Sequence, residues 1–111
     1  MPETYKALGT VTANGTIGTA QTLYGAVPAA TSTVVSSIVV CNQAATSATY
    51  RIGYSTTTAY STPGMLVFGA TIAANDTVIL TIGATLAATT YLLFSASAAT
   101  VNAVAFGTEI T

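Results

Sequence analysis

The sequence predicts an all-β domain, an antiparallel β-sandwich or jelly roll of about eight short strands. Three observations carry that expectation. β-Branched and aromatic residues gather in short runs, clusters of Gly, Pro, Asn, Ser and Thr interrupt those runs roughly every ten residues, and no segment shows a helical period. The 111-residue length suits a single domain with one core.

Residues 5–12 read as a first strand, and Asn14-Gly15 reads as a two-residue hairpin turn because both residue types tolerate positive φ. Residues 16–19 would begin the return, with Gly18 as a bulge, and residues 21–27 form a second strand closed by Pro28. Residues 33–42 are the strongest strand. Strict alternation puts Val34, Ile38 and Val40 on one face and Val35, Val39 and Cys41 on the other, so the strand is apolar on both sides and central. Residues 48–55 alternate cleanly, with Tyr50, Ile52 and Tyr54 toward the core and Thr49, Arg51, Gly53 and Ser55 away from it.

A polar loop over residues 56–63 carries Tyr60 and leads into an apolar strand at 65–69. Residues 77–82 place Val78, Leu80 and Ile82 inward before Gly83 turns the chain, and residues 91–97 and 101–110 supply the last two strands. A short pattern recurs at Val27-Pro28-Ala29-Ala30, Ile72-Ala73-Ala74-Asn75 and Leu86-Ala87-Ala88-Thr89. Its spacing is irregular, which marks three similar corners and not a solenoid. Pro2 lacks an amide donor and pre-sets an extended entry. Residues 1–6 therefore read as an extended N-terminal arm and residues 7–111 as the sandwich; a frayed terminus without a role is the alternative.

Charged residues are 5% of the chain, against about 25% in an ordinary globular domain, and the net charge is −1. Threonine, serine and alanine together make up 52 of the 111 residues, so polarity comes from hydroxyls. No basic run exists to hold phosphates, so no nucleic-acid partner is expected. No membrane partner is expected either, because the best apolar stretch, residues 78–98, is interrupted by Thr81, Gly83, Thr85, Thr89, Thr90 and Ser95. The first six residues lack a secretory layout, which points to synthesis in the cytosol. A surface so poor in charge is weakly protected against self-association, and closed assembly as a homo-oligomer, a trimer by preference, would bury it.

The catalytic inventory is thin. There is no histidine, and Glu3, Asp76 and Glu109 fall in the arm, a corner and the C-terminal segment, so no enzyme activity, cofactor or metal is expected. Asp76 reads as a turn residue beside Asn75, and Cys41, on an apolar strand, as a small buried hydrophobe. Arg51 calls for a carboxylate on the same or another subunit. Strand aromatics at alternate positions belong to the core. The interface candidates are then the arm residues Pro2, Glu3, Tyr5 and Lys6 and the loop-borne Tyr60.

Ile38-Val39-Val40-Cys41-Asn42, followed by Ala45-Thr46-Ser47-Ala48-Thr49-Tyr50-Arg51-Ile52, resembles small virion proteins of tailed bacteriophages. The corner Ile72-Ala73-Ala74-Asn75-Asp76-Thr77 and the ending Ala103-Val104-Ala105-Phe106-Gly107-Thr108-Glu109-Ile110 are similar to the same group. The resemblance implies a β-sandwich module assembled in the host cytoplasm. Such a module decorates or cements a capsid by binding the major capsid protein or other virion proteins, or it sits on the tail, neck or baseplate. A carbohydrate-binding adhesin built on Tyr60 and its Thr-rich loop is the alternative of a different class.

Overall fold

In the computed structural model the chain is one long antiparallel hairpin rolled up on itself. The structure describes the backbone of residues 3–111 and the side chains from Lys6 onward. Eight strands follow in order: β1 (Glu3–Thr12), β2 (Gln21–Tyr24), β3 (Ser32–Asn42), β4 (Ala48–Ser55), β5 (Met65–Ile72), β6 (Thr77–Leu86), β7 (Tyr91–Ala96) and β8 (Val101–Ile110). One turn of 3-10 helix, Thr62–Gly64, precedes β5. β1 pairs with β8, β2 with β7, β3 with β6 and β4 with β5, all antiparallel, giving one sheet ordered β1-β8-β3-β6 and a second ordered β2-β7-β4-β5. That order is a jelly roll.

The two sheets close on a core that includes Val35, Ile38, Val40, Tyr50, Ile52, Ile72, Leu92, Phe94 and Val101. Small residues, Ala103 and Ala105 on β8 and Ala96 on β7, let the sheets approach there. At the β1/β2 edge the approach is closer still, since a Cβ at Gly9 would collide with the Leu23 carbonyl.

β3 departs from strict alternation. Ser36 is a bulge, so Val35 joins Ile38 and Val40 in the core while Val34 lies half-buried on the outer face, opposite to the expected placement. The register also slips at Leu8 on β1, between the levels of Phe106 and Ala105, and at Ile82 and Gly83 on β6, between those of Gly107 and Phe106. Gly83, with φ of 58°, is thus a bulge inside β6 and does not end the strand. Asn14-Gly15 makes the local turn expected of it, with Gly15 at φ 88° and Asn14 Oδ1 accepting the Thr16 amide at 2.9 Å. No hairpin follows, because the segment carries the chain from the first sheet to the second.

The three recurring corners share one backbone feature. The third residue after the closing apolar residue is left-handed in each: Ala30 (φ 57°), Asn75 (φ 55°) and Thr89 (φ 69°). Asparagine tolerates that region, whereas a β-branched residue is strained there by roughly 1–2 kcal/mol. Thr89→Gly is therefore expected to stabilise the domain by about 0.5–1 kcal/mol, after glycine's larger unfolded-state entropy is subtracted. The exposed Thr89 side chain loses nothing, and its amide still reaches the Val27 carbonyl at 2.9 Å. A lower urea midpoint for this variant would contradict the reading.

Asn42 locks one end of the sandwich. It is 1% exposed; its Nδ2 donates to the Thr46 and Ala73 carbonyls (2.9 and 3.2 Å), and its Oδ1 accepts from the Ala44 amide and Thr100 Oγ1 (3.1 and 3.3 Å). One buried amide with all its groups satisfied thus ties three connections together.

Candidate interaction surface

The arm is part of the sheet from Glu3 onward. Glu3, Thr4, Tyr5 and Lys6 pair with Ile110, Glu109, Thr108 and Gly107 of β8, because an extended chain beside an open strand gains main-chain hydrogen bonds. Residues 3–6 of the expected extended arm are thus paired within the domain. Pro2 and the side chains of Glu3 and Tyr5 lie outside the described residues. Lys6 Nζ pairs with Glu109 Oε1 at 2.7 Å, and Glu109 Oε2 accepts the Tyr24 hydroxyl. Tyr24 spends its one proton there, so Thr33 Oγ1 donates to Tyr24 at 2.8 Å. Three strands, β1, β8 and β3, are clipped to β2 by this chain.

The clip has a pH signature. The Lys6 ammonium, and then the Tyr24 hydroxyl, hold the Glu109 carboxyl below its usual range, while burial and then Glu109 push Tyr24 up to about 12. A depressed carboxylate contributes stability that is present above its unfolded value and lost as pH falls through the folded one. A raised phenol contributes stability that is present below its unfolded value and lost as pH rises through the folded one. Stability should therefore fall on both flanks, below the ordinary carboxylate range and between about 10 and 12. Glu109→Gln should lower stability at neutral pH and flatten the acid flank, as urea midpoints measured against pH would show. An unchanged acid flank would contradict the clip.

Tyr60 is not a free loop tyrosine. Ser95 Oγ donates to the Ile17 carbonyl at 2.6 Å, so Tyr60, 2.6 Å from Ser95 Oγ, is the donor to it. Burial, the larger effect, pushes the Tyr60 phenol up despite the opposing bond to Ser95. The hydroxyl thus anchors the loop onto β7. Beside it, Arg51 lies with its guanidinium 4.1 Å from the centre of the Phe68 ring, and Phe68 is 69% exposed. Arg51 Nε is buried without an acceptor. Arg51, Tyr60, Ser61, Thr62, Met65 and Phe68 line an open depression of about 420 Å³. Phe68 was legible only as part of an apolar run. The bulge at Gly69 (φ 76°), which aligns Phe68 with Arg51, left no more than a glycine at the end of that run as a signal.

The outer face of the first sheet is the larger feature. Register fixes three rows across its four strands: Thr12–Asn102–Cys41–Thr77, Thr10–Val104–Val39–Ile79 and Ala7–Phe106–Ser37–Thr81. None of these side chains is charged, although designed soluble surfaces carry roughly 25–35% charged residues. Ile79 is 67% exposed and Phe106 40% exposed. Cys41 is half-buried on this face and not a core hydrophobe. Tyr54, expected in the core, is also exposed, at the rim where β4 ends opposite the first residue of β7.

Among the described residues, no three His, Cys, Asp or Glu side chains gather, and no helix is long and apolar enough to cross a membrane. Asp76 Oδ1 accepts the Thr77 amide at 2.8 Å in its corner. Comparison with protein-family models, with curated proteins and with solved structures gives no match.

Proposed function

We propose that this chain is a structural protein of a tailed-bacteriophage virion, a capsid decoration or cement module that binds the shell surface as a homo-oligomer. The observation that carries the reading is the three charge-free rows on the outer face of the first sheet, with Ile79 and Phe106 standing out of a field of threonine, valine and serine. Such a face is stable in water only at the risk of association, so its composition makes sense when a partner covers it. The jelly roll is compatible with this, since viral capsid and lectin domains both use it, but a fold hosts many functions and does not choose between them. The resemblance of residues 38–52, 72–77 and 103–110 to small phage virion proteins points the same way.

The test is copy number. Quantitative mass spectrometry of purified particles should find the protein in hundreds of copies, as repeated binding to a symmetric shell requires. A few dozen copies would move it to the tail, neck or baseplate, and absence from particles would end the virion reading. An adhesin reading draws on the exposed Phe68 ring and not on Tyr60; binding on a glycan array that disappears in Phe68→Ala would favour it.

A further inference from the structure

The two sides of the sandwich are built differently. On one side β1 and β2 close tightly at Gly9 and Leu23, and the Lys6–Glu109–Tyr24 chain binds them. On the other side β5 and β6 are both sheet edges, and neither Met65–Ile72 nor Thr77–Leu86 contains a charged residue or a proline. Natural edges are guarded by Lys, Pro, inward charges or bulges; these two carry only bulges, among them Gly69 and Gly83, which leaves their apolar side chains open to a cover. Leu66, Phe68 and Ile79, three of the five large apolar side chains exposed among the described residues, lie on these two strands.

The same side carries two uncompensated charges of opposite sign. Lys6 and Glu109 neutralise each other, whereas among the described residues no carboxylate lies within salt-bridge distance of Arg51 and no cation within that distance of Asp76. Arg51 opens into the depression beside Phe68; Asp76 is exposed in the corner between β5 and β6. Within one chain the two are held apart, because Arg51 is level with Phe68, four residues before the end of β5, and Asp76 lies a further four residues beyond that end. A guanidinium stacked on an aromatic ring, with its carboxylate missing and an apolar collar around it, has the make-up of an interface anchor.

We propose that the Arg51 depression binds the Asp76 carboxylate of a second copy of this chain, with Phe68 and Leu66 of the first copy covered by the β5/β6 corner of the next. Arg51–Asp76 pairs exchanged across a two-fold axis would close a dimer, and head-to-tail pairs related by a three-fold axis would close the trimer preferred on composition. The proposal rests on the reading of the chain as a self-associating module and names the surface that associates.

Sedimentation velocity over a dilution series of the full chain tests it. Arg51→Gln, which keeps the stem over Phe68, and Asp76→Asn, which keeps an acceptor for the Thr77 amide, should each weaken self-association about tenfold or more. Arg51→Glu and Asp76→Arg should do the same singly, and the double exchange should return to within about threefold of the native protein. Native association should also weaken as salt rises. Single variants that assemble like the native chain, or a double exchange no better than its parents, would overturn the assignment while leaving the virion reading to the copy-number result. A native chain that stays monomeric at about 100 μM would overturn the assignment too, because a charge-anchored contact of this kind should persist there.

Discussion

Gly107→Ala is expected to cost about 3 kcal/mol or more, a large share of the roughly 5–15 kcal/mol that holds a domain of this size together. Gly107 sits on β8 where the first sheet carries its aligned bulges, and the Val34 carbonyl of β3 occupies the place a Cβ would take, with the Leu8 side chain closing the space behind it. Main chain must move to admit one methyl group, and β8 is held between β1 and β3, so it cannot move alone. The reason is space, not backbone conformation. Gly18 supplies the control, since nothing lies within 4 Å of a Cβ there and Gly18→Ala should be neutral or slightly stabilising. Urea unfolding of the two variants separates them; equal midpoints would contradict the packing described for β8.

Phe94→Ala should cost about 3–5 kcal/mol. Phe94 is among the largest fully buried side chains and lies between Gln21 of β2 and Ile52 of β4 in the register of the second sheet. Its neighbours are fixed by two ladders, so they cannot collapse into the space it leaves, and the cavity penalty adds to the lost burial. Leu93, also fully buried, is not part of the central core cluster. A loss below about 1 kcal/mol for Phe94→Ala would mean that the two sheets are not packed as described.

Much of the architecture was legible because local chemistry set it. Residues 48–55 and 101–110 form strands with the expected limits, since clean alternation and β-branched content act over a few residues. The three corners were recognisable as alike, and they share a left-handed residue at the same place. What was not legible depends on partners far away in the chain. Asn14-Gly15 turns as its residues dictate, but β1 finds its partner in β8 at the other end of the sequence, so the local hairpin does not form. The Ser36 bulge reverses the faces of Val34 and Val35, and nothing in a serine pair announces one residue too many. Arg51 was correctly placed away from the core, yet its stacking on Phe68 required the register of β4 against β5. Tyr60 looked available because it lies in a polar loop; its hydroxyl is taken by Ser95, a buried residue that alternation alone would not single out.

The surface outcome follows the same division. Composition already implied a poorly charged exterior, but only pairing shows three adjacent rows of one sheet face without a charge while Lys6 and Glu109 meet elsewhere. Cys41, the single cysteine, stands on that face beside Asn102 and Thr77. It provides a chemical reporter at the centre of the claim that this face is covered in the assembled particle. Alkylation of Cys41 by a small maleimide, followed by mass spectrometry, should be at least about tenfold slower in purified particles than in the isolated protein, because thiol reactivity requires access. Equal rates in the two samples would contradict the account.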